Sequence, residues 1–245
     1  MAGNWKMYKT AQETADFFHQ FNSLVDGNSR CDIVIFPTFV NLQTAVQSVA
    51  NIPVEIGGQN LHWGKEGAYT GEVSSVMLTA VGCKWVLVGH SERRQYFCET
   101  DANVLKKTQA ALEAGLSPII CVGEKVDERK SGHTEQVLIE QFAAGVAGLT
   151  EEQFSKVAIA YEPVWAIGTG QTATPEMAAE AHSLIRQEAA KRFGQDAADQ
   201  LRILYGGSVK PDNVARLMKE SELDGALVGG ASLDPQSFSE IVKSA

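Results

Sequence analysis

The chain has 245 residues, 21 basic and 30 acidic, for a formal charge of −9, and 44% of it is apolar. This is ordinary globular composition, which excludes a disordered or collagen-like chain, and so acidic a balance speaks against nucleic acid as a partner, because neutralising phosphates takes a basic face. No stretch approaches the roughly 18 uninterrupted apolar residues of a membrane helix. The opening Met1–Lys6 has no apolar h-region, so no secretory signal is read there, and the expectation is a cytoplasmic protein without membrane attachment. The cysteines are Cys31, Cys83, Cys98 and Cys121. Without C-x-x-C spacing they read as reduced, mostly packed thiols rather than a metal or disulfide framework.

In chain order, an abbreviated apolar run at Ala2–Trp5 is followed by seven more: Cys31–Phe36, Val54–Gly58, Lys84–Val88, Ser117–Val122, Val157–Tyr161, Arg202–Tyr205 and Gly225–Val228. Near-continuous apolar runs predict strands buried on both faces, as in a parallel sheet. Amphipathic stretches separate them. Residues 10–25 put Phe17, Phe18, Phe21, Leu24 and Val25 on one side. Residues 101–114 start after a Thr100 cap and stop at Gly115, Thr174-Pro175 opens a helix over 176–193, and Asp234-Pro235 opens the last one. Eight strand–helix units of about 31 residues leave two closures: an eight-stranded α/β barrel or an open doubly wound sheet. The rhythm never breaks, which predicts one domain over 1–245.

In a parallel barrel the chemistry sits where strands end at their C-terminal face. The polar residues ending the apolar runs are Asn4 and Lys6, then His90, Ser91 and Glu92, then Glu162, then Gly206-Gly207-Ser208, and last Gly229-Gly230. Each has a plainer reading singly: a solvated lysine, a strand cap at His90 with Ser91 opening the next turn, a surface carboxylate, ordinary glycine turns. Their joint placement at five strand ends favours a site. Glycine pairs before a helical turn expose N–H groups that suit a phosphate dianion, and an acidic protein needs such local positive potential. Gly168–Ala173 matches the G-x-G-x-x-A form of a dinucleotide fingerprint, but Pro163–Ile167 separates it from the strand, so a nucleotide reading is set aside. The segment reads instead as a lid between Pro163 and Ala173, with Trp165 and Ile167 as its water-excluding face.

Gly3–Met7, Gly89–Arg94, Ala160–Gly170, Tyr205–Val209 and Leu227–Ser232, in this order and across the chain, closely resemble triosephosphate isomerase. The resemblance implies a (β/α)8 barrel, an isomerase of glycolysis and gluconeogenesis, and interconversion of dihydroxyacetone phosphate and D-glyceraldehyde 3-phosphate without cofactor or metal. It also implies roles: Glu162 as base, neutral His90 as donor to the substrate oxygens, Lys6 as the cation, and Asn4 as an orienting group. Glu92 would support Lys6 and Asn4, and Gly168, Ser208, Gly229 and Gly230 would hold the phosphate by main-chain N–H. The lid would comprise Pro163, Val164, Trp165, Ala166, Ile167, Gly168, Thr169 and Gly170. This division of labour is the known chemistry of that family rather than a deduction from spacing. The resemblance further implies a homodimer in which loop 67–73 docks on the partner, with Thr70 near the neighbour's Asn4. The chain starts closer to Asn4 than family members usually do, so a short first strand is expected; Tyr8, Cys98 and Gln171 stand where the family commonly has other residues. A different sugar-phosphate barrel, or a phosphate- or partner-binding barrel without activity, are the competing readings.

Overall fold

Each expected apolar run becomes a strand in the computed structural model, which describes residues 1–50, 52–167 and 173–244. The strands are β1 (Ala2–Asn4), β2 (Ile33–Phe36), β3 (Val54–Gly58), β4 (Trp85–Val88), β5 (Ser117–Val122), β6 (Ala158–Tyr161), β7 (Arg202–Tyr205) and β8 (Gly225–Val228). They pair in sequence order, all parallel, and β8 pairs back onto β1 through Ala2↔Leu227 and Gly3↔Val228. The sheet therefore closes into a barrel, which removes the open doubly wound alternative.

Both faces of the strands are buried, and alternation sorts their side chains into two cores. Ala2, Val34, Phe36, Leu87, Ile119, Cys121, Ala158, Ala160, Leu204 and Leu227 fill the barrel interior. Their neighbours Ile35, Val88, Ile120, Ile159, Tyr161, Ile203, Tyr205 and Val228 point outward and pack under the helices. Small residues on β6, Ala158 and Ala160, sit beside larger ones on its neighbours, as a filled barrel requires.

The helices start where capping residues allow. Thr10 caps Ala11–Val25 in a reciprocal capping box with Glu13; Thr174 caps Pro175–Phe193 and Asp234 caps Pro235–Lys243, each with proline in the first turn. Phe17, Phe18 and Phe21 pack on Trp5 and Phe238, closing the seam between the first and last units. Leu24 is only half-buried, so it belongs to the edge of that face. Short helices absent from the periodicity reading, such as Gln195–Gln200, fill the connections. One expected cap moves: His90, not Ser91, is the N-cap of helix Ser91–Tyr96, because its ring nitrogen can accept the Glu92 N–H. Of the cysteines, Cys83 and Cys121 are buried, Cys31 is half-buried and Cys98 is exposed. All four are free thiols.

His182, on helix Pro175–Phe193, is wholly buried, with Nδ1 donating to the Glu222 carbonyl at 3.1 Å. Burial pushes its pKa down from 6.5 to about 4. Between those values the unfolded chain binds the extra proton, so stability rises with pH there. The contribution is complete above pH 6.5 and is lost progressively as pH falls toward 4. Its full size is about 3 kcal/mol. Urea midpoints across this window are expected to fall with acidification, and His182→Gln is expected to flatten that slope.

Candidate active site

The alternation that fills the barrel also aims the polar residues. On β6, Ala158 and Ala160 point inward and Tyr161 outward, so Glu162 turns inward one step above the last apolar layer. On β1 the same step follows Ala2 and passes Trp5, which is buried under the helices, so Asn4 and Lys6 face the mouth. After β4, Gly89 has φ 73° and turns the chain into the helix that His90 caps. Asn4, Lys6, His90, Ser91, Glu92 and Glu162 thus line one cleft of about 970 Å³. Gly206, Gly207, Ser208, Gly229 and Gly230 line the same cleft.

Glu162 is 2% exposed, so the surface-carboxylate reading fails. Its Oε1 takes the His90 Nε2 at 2.9 Å and the Ser91 hydroxyl at 3.2 Å, while Oε2 accepts the Ser91 N–H at 2.9 Å. Burial alone would raise its pKa, but His90 and the two Ser91 donors outweigh burial and hold the carboxyl below its ordinary value. His90 shows the mirror effect. Burial disfavours the imidazolium, yet the adjacent Glu162 carboxylate overrides it and raises the ring's pKa. His90 Nδ1 accepts the Glu92 N–H at 3.2 Å, which assigns the proton of the neutral ring to Nε2, facing Glu162.

Two glycines make room for this carboxylate from the neighbouring strands. A Cβ on Gly123, just after β5, would lie 1.7 Å from the Glu162 carbonyl oxygen. One on Gly206, just after β7, would lie 2.9 Å from Glu162 Cγ. A larger residue at 123 would force the backbone apart, and one at 206 would displace the Glu162 side chain.

Lys6 Nζ pairs with Glu92 Oε1 at 2.6 Å. The Lys6 N–H donates to Asn4 Oδ1 at 3.0 Å, leaving the Asn4 amide nitrogen as a donor at the cleft. Gly229 and Gly230 open the 3₁₀ turn Gly230–Leu233, where the first N–H groups have no intrahelical acceptor. The Ser232 N–H and hydroxyl both donate to the Gly229 carbonyl and fix that turn. Asn213 fixes the other one, donating to the Ser208 carbonyl at 3.0 Å. The two glycine turns converge on the cleft, which Lys6 and Lys210 also line.

Of the expected lid, Pro163–Ile167 is described; Gly168, Thr169, Gly170 and the neighbouring Gln171 lie outside the described residues, so the main-chain contact expected of Gly168 does too. Val164 and Ile167 line the cleft. Trp165 does not line this cleft. It lines an adjacent recess, where its indole donates to Glu124 at 2.8 Å and the Arg129 guanidinium lies 4.6 Å from its ring. Glu124, fully buried after β5, also takes the Tyr161 hydroxyl at 3.2 Å and an Arg129 contact at 3.0 Å. At the far end, burial pushes the Tyr205 phenol up to about 12 against the opposing pull of the Ala173 backbone. Gly123 and Glu124 are site-supporting residues that spacing does not single out, whereas Ser91 stands among the polar residues that end the fourth apolar run. Among the described residues, no group of three or more His, Cys, Asp or Glu side chains is arranged to hold a metal ion.

The profile of triosephosphate isomerase matches residues 1–245. The chain belongs to the triosephosphate isomerase family. It is 62% identical over 242 residues to the triosephosphate isomerase of Solibacter usitatus, covering 99% of this chain and 97% of that one. It is 50% identical over 244 residues to that of Dictyoglomus turgidum, covering 100% and 98%, and 49% identical over 243 residues to that of Geotalea uraniireducens, covering 99% and 97%. Membership makes the chain an isomerase.

Ser91→Ala removes one of the two Ser91 hydrogen bonds that favour the ionised Glu162. The acid limb of kcat/KM is therefore expected to move to higher pH, with the maximal rate retained in order of magnitude; a pH–rate profile reads both.

Proposed function

We propose that the chain interconverts dihydroxyacetone phosphate and D-glyceraldehyde 3-phosphate through an enediolate, using side chains and peptide groups alone. The observation that carries this reading is the convergence of Glu162, His90 and Lys6 in one cleft with two glycine turns. Family membership supports the substrate class, and the names of the relatives point the same way.

The carboxylate must leave Ser91 to reach a carbon-bound proton, and its hydrogen bonds mark a resting position. Moving toward substrate also separates it from His90. The larger of the two carboxylate effects that raise the ring's pKa then weakens, leaving the smaller one of Glu92 against burial and the Lys6 ammonium, and the Glu92 N–H on Nδ1 also favours neutral imidazole. A neutral Nε2–H can donate to either substrate oxygen and pass its proton between them as charge develops. Lys6, held by Glu92, supplies positive charge beside the developing oxyanion, and the free Asn4 amide donor orients the same oxygen. The N–H groups of Gly168, Ser208, Gly229 and Gly230 take the phosphate, and a preorganised donor of this kind is worth about 2.7–4 kcal/mol in comparable sites. Pro163–Gly170 closes over the intermediate and keeps water from it.

We place this reaction in glycolysis and gluconeogenesis, in the cytoplasm, and in a homodimer. Support for the dimer is a set of large apolar side chains left exposed: Met7, Tyr8, Val76, Met77, Tyr69 of loop 67–73, and Phe97, which lines one recess with Tyr69. A second copy of the chain would cover them, with that loop reaching the neighbour's mouth near Asn4.

In a coupled assay of glyceraldehyde 3-phosphate turnover, Glu162→Gln is expected to lower kcat by at least about 10³, within the range of a lost general base. Binding of 2-phosphoglycolate is expected to persist. A rate within tenfold of the parent means that another base acts. Sedimentation equilibrium is expected to give twice the chain mass, and Tyr69→Asp to shift it toward one chain mass; a parent protein that sediments as a single chain removes the dimer.

A further inference from the structure

The turn that carries Lys6 away from β1 contains two left-handed residues that are not glycine, Lys6 at φ 52° and Lys9 at φ 70°. In this region the Cβ crowds the following carbonyl, so side-chain-bearing residues avoid it. Such a conformation persists only where surrounding structure imposes it.

At Lys6 the imposing group is Gln59, which follows β3. Its Nε2 donates to the Lys6 carbonyl at 2.7 Å and to the Phe36 carbonyl at 2.8 Å. Phe36 ends β2, pairs with Asn4 of β1, and its carbonyl also accepts the Trp5 N–H at 3.1 Å. One amide group therefore ties the peptide after Lys6 to the rigid rim of the barrel. The peptide before Lys6 is held from the other side by Asn4 Oδ1 on the Lys6 N–H. With both flanking peptides fixed, the direction of the Lys6 side chain is fixed too. It runs past Gly229, where a Cβ would lie 3.6 Å from Lys6 Cε, and ends on Glu92. Asn41 acts alike at the second left-handed residue. It is 1% exposed and donates to the Lys9 carbonyl at 2.6 Å and to the Thr38 hydroxyl at 3.0 Å. Met7 and Tyr8, between the two clamps, are exposed, so the turn is held from beneath by these amides.

We propose that Gln59 is a positioning residue of this isomerase: it holds Lys6 in the left-handed backbone that aims the ammonium into the cleft. Its contribution to substrate binding and turnover passes through Lys6. Gln59 does not itself line the cleft. The proposal rests on the reading of Lys6 as the cation of the site.

The test is a double-mutant cycle read by calorimetric binding of 2-phosphoglycolate, with kcat and KM measured alongside. Gln59→Met keeps the length of the side chain and removes its N–H donors. It is expected to weaken binding at least about tenfold in the parent and less than about twofold in Lys6→Met, since coupled residues are non-additive. KM is expected to rise, and the melting temperature to change by only a few degrees. Gln59→Asn, a shorter donor, is carried through the same cycle and decides it if Gln59→Met does not fold. Equal losses in both backgrounds, or unchanged binding and turnover in the folded variant, overturn the proposal. If Lys6→Met binds as tightly as the parent, the reading of Lys6 falls and the proposal with it. If Lys6→Met is defective and the cycle is additive, only the role of Gln59 falls.

Discussion

A closed parallel barrel leaves few places where a charge can be both firmly held and reachable. Within the strands, every inward side chain is packed against others, and a charge there would be buried without compensation. One residue beyond the last apolar layer, the backbone is still held by the ladder while the side chain enters the mouth. Glu162 sits one step above Ala160 and Asn4 one step above Ala2, with Lys6 one step further out. The rest of the site depends on that step. A register slip of one residue would turn Glu162 under the helices and bring Tyr161 into the barrel.

Placement at the mouth still leaves a buried carboxylate, and the structure compensates it locally. Ser91 gives two donors and His90 a third, so Glu162 remains ionised although almost nothing of it is exposed. The donors are next to one another in sequence because His90 caps a short helix whose first N–H groups point toward the cleft. That helix start supplies the Glu92 N–H to His90 as well. Carboxylate, imidazole and helix N-terminus thus form one unit, and the shift of each titrating group belongs to the pair. Glycines at 123 and 206 permit the close approach on either side.

The glycine turns answer a different electrostatic problem. The chain carries a net charge of −9, so its overall field opposes a phosphate ester. Peptide N–H groups at Ser208, Gly229 and Gly230, with Lys6 and Lys210 lining the same cleft, offer local positive potential at the mouth. Ser232 and Asn213 hold those turns by donating to the Gly229 and Ser208 carbonyls. Trp165 and Glu124 likewise tie down the segment that follows Glu162.

Much of this was legible before any fold was known. Eight apolar runs gave the strands to within a residue or two, because burial on both faces forces continuous apolarity, and Thr10, Thr174 and Asp234 marked helix starts through the N–H groups they satisfy. The motifs around Asn4, His90, Glu162, Ser208 and Gly229 marked the strand ends that meet. Closure rather than an open sheet was decided only by β8 pairing with β1, a contact between residues more than two hundred positions apart. The parking of Glu162 on Ser91, the tie of Trp165 to Glu124 and the grip of Gln59 on Lys6 were also tertiary, since each joins side chains or carbonyls from different strand units. Local pattern records which surfaces must be hidden and where the chain turns. It does not record which distant hydrogen-bonding groups meet, because that follows from the three-dimensional register of the closed sheet.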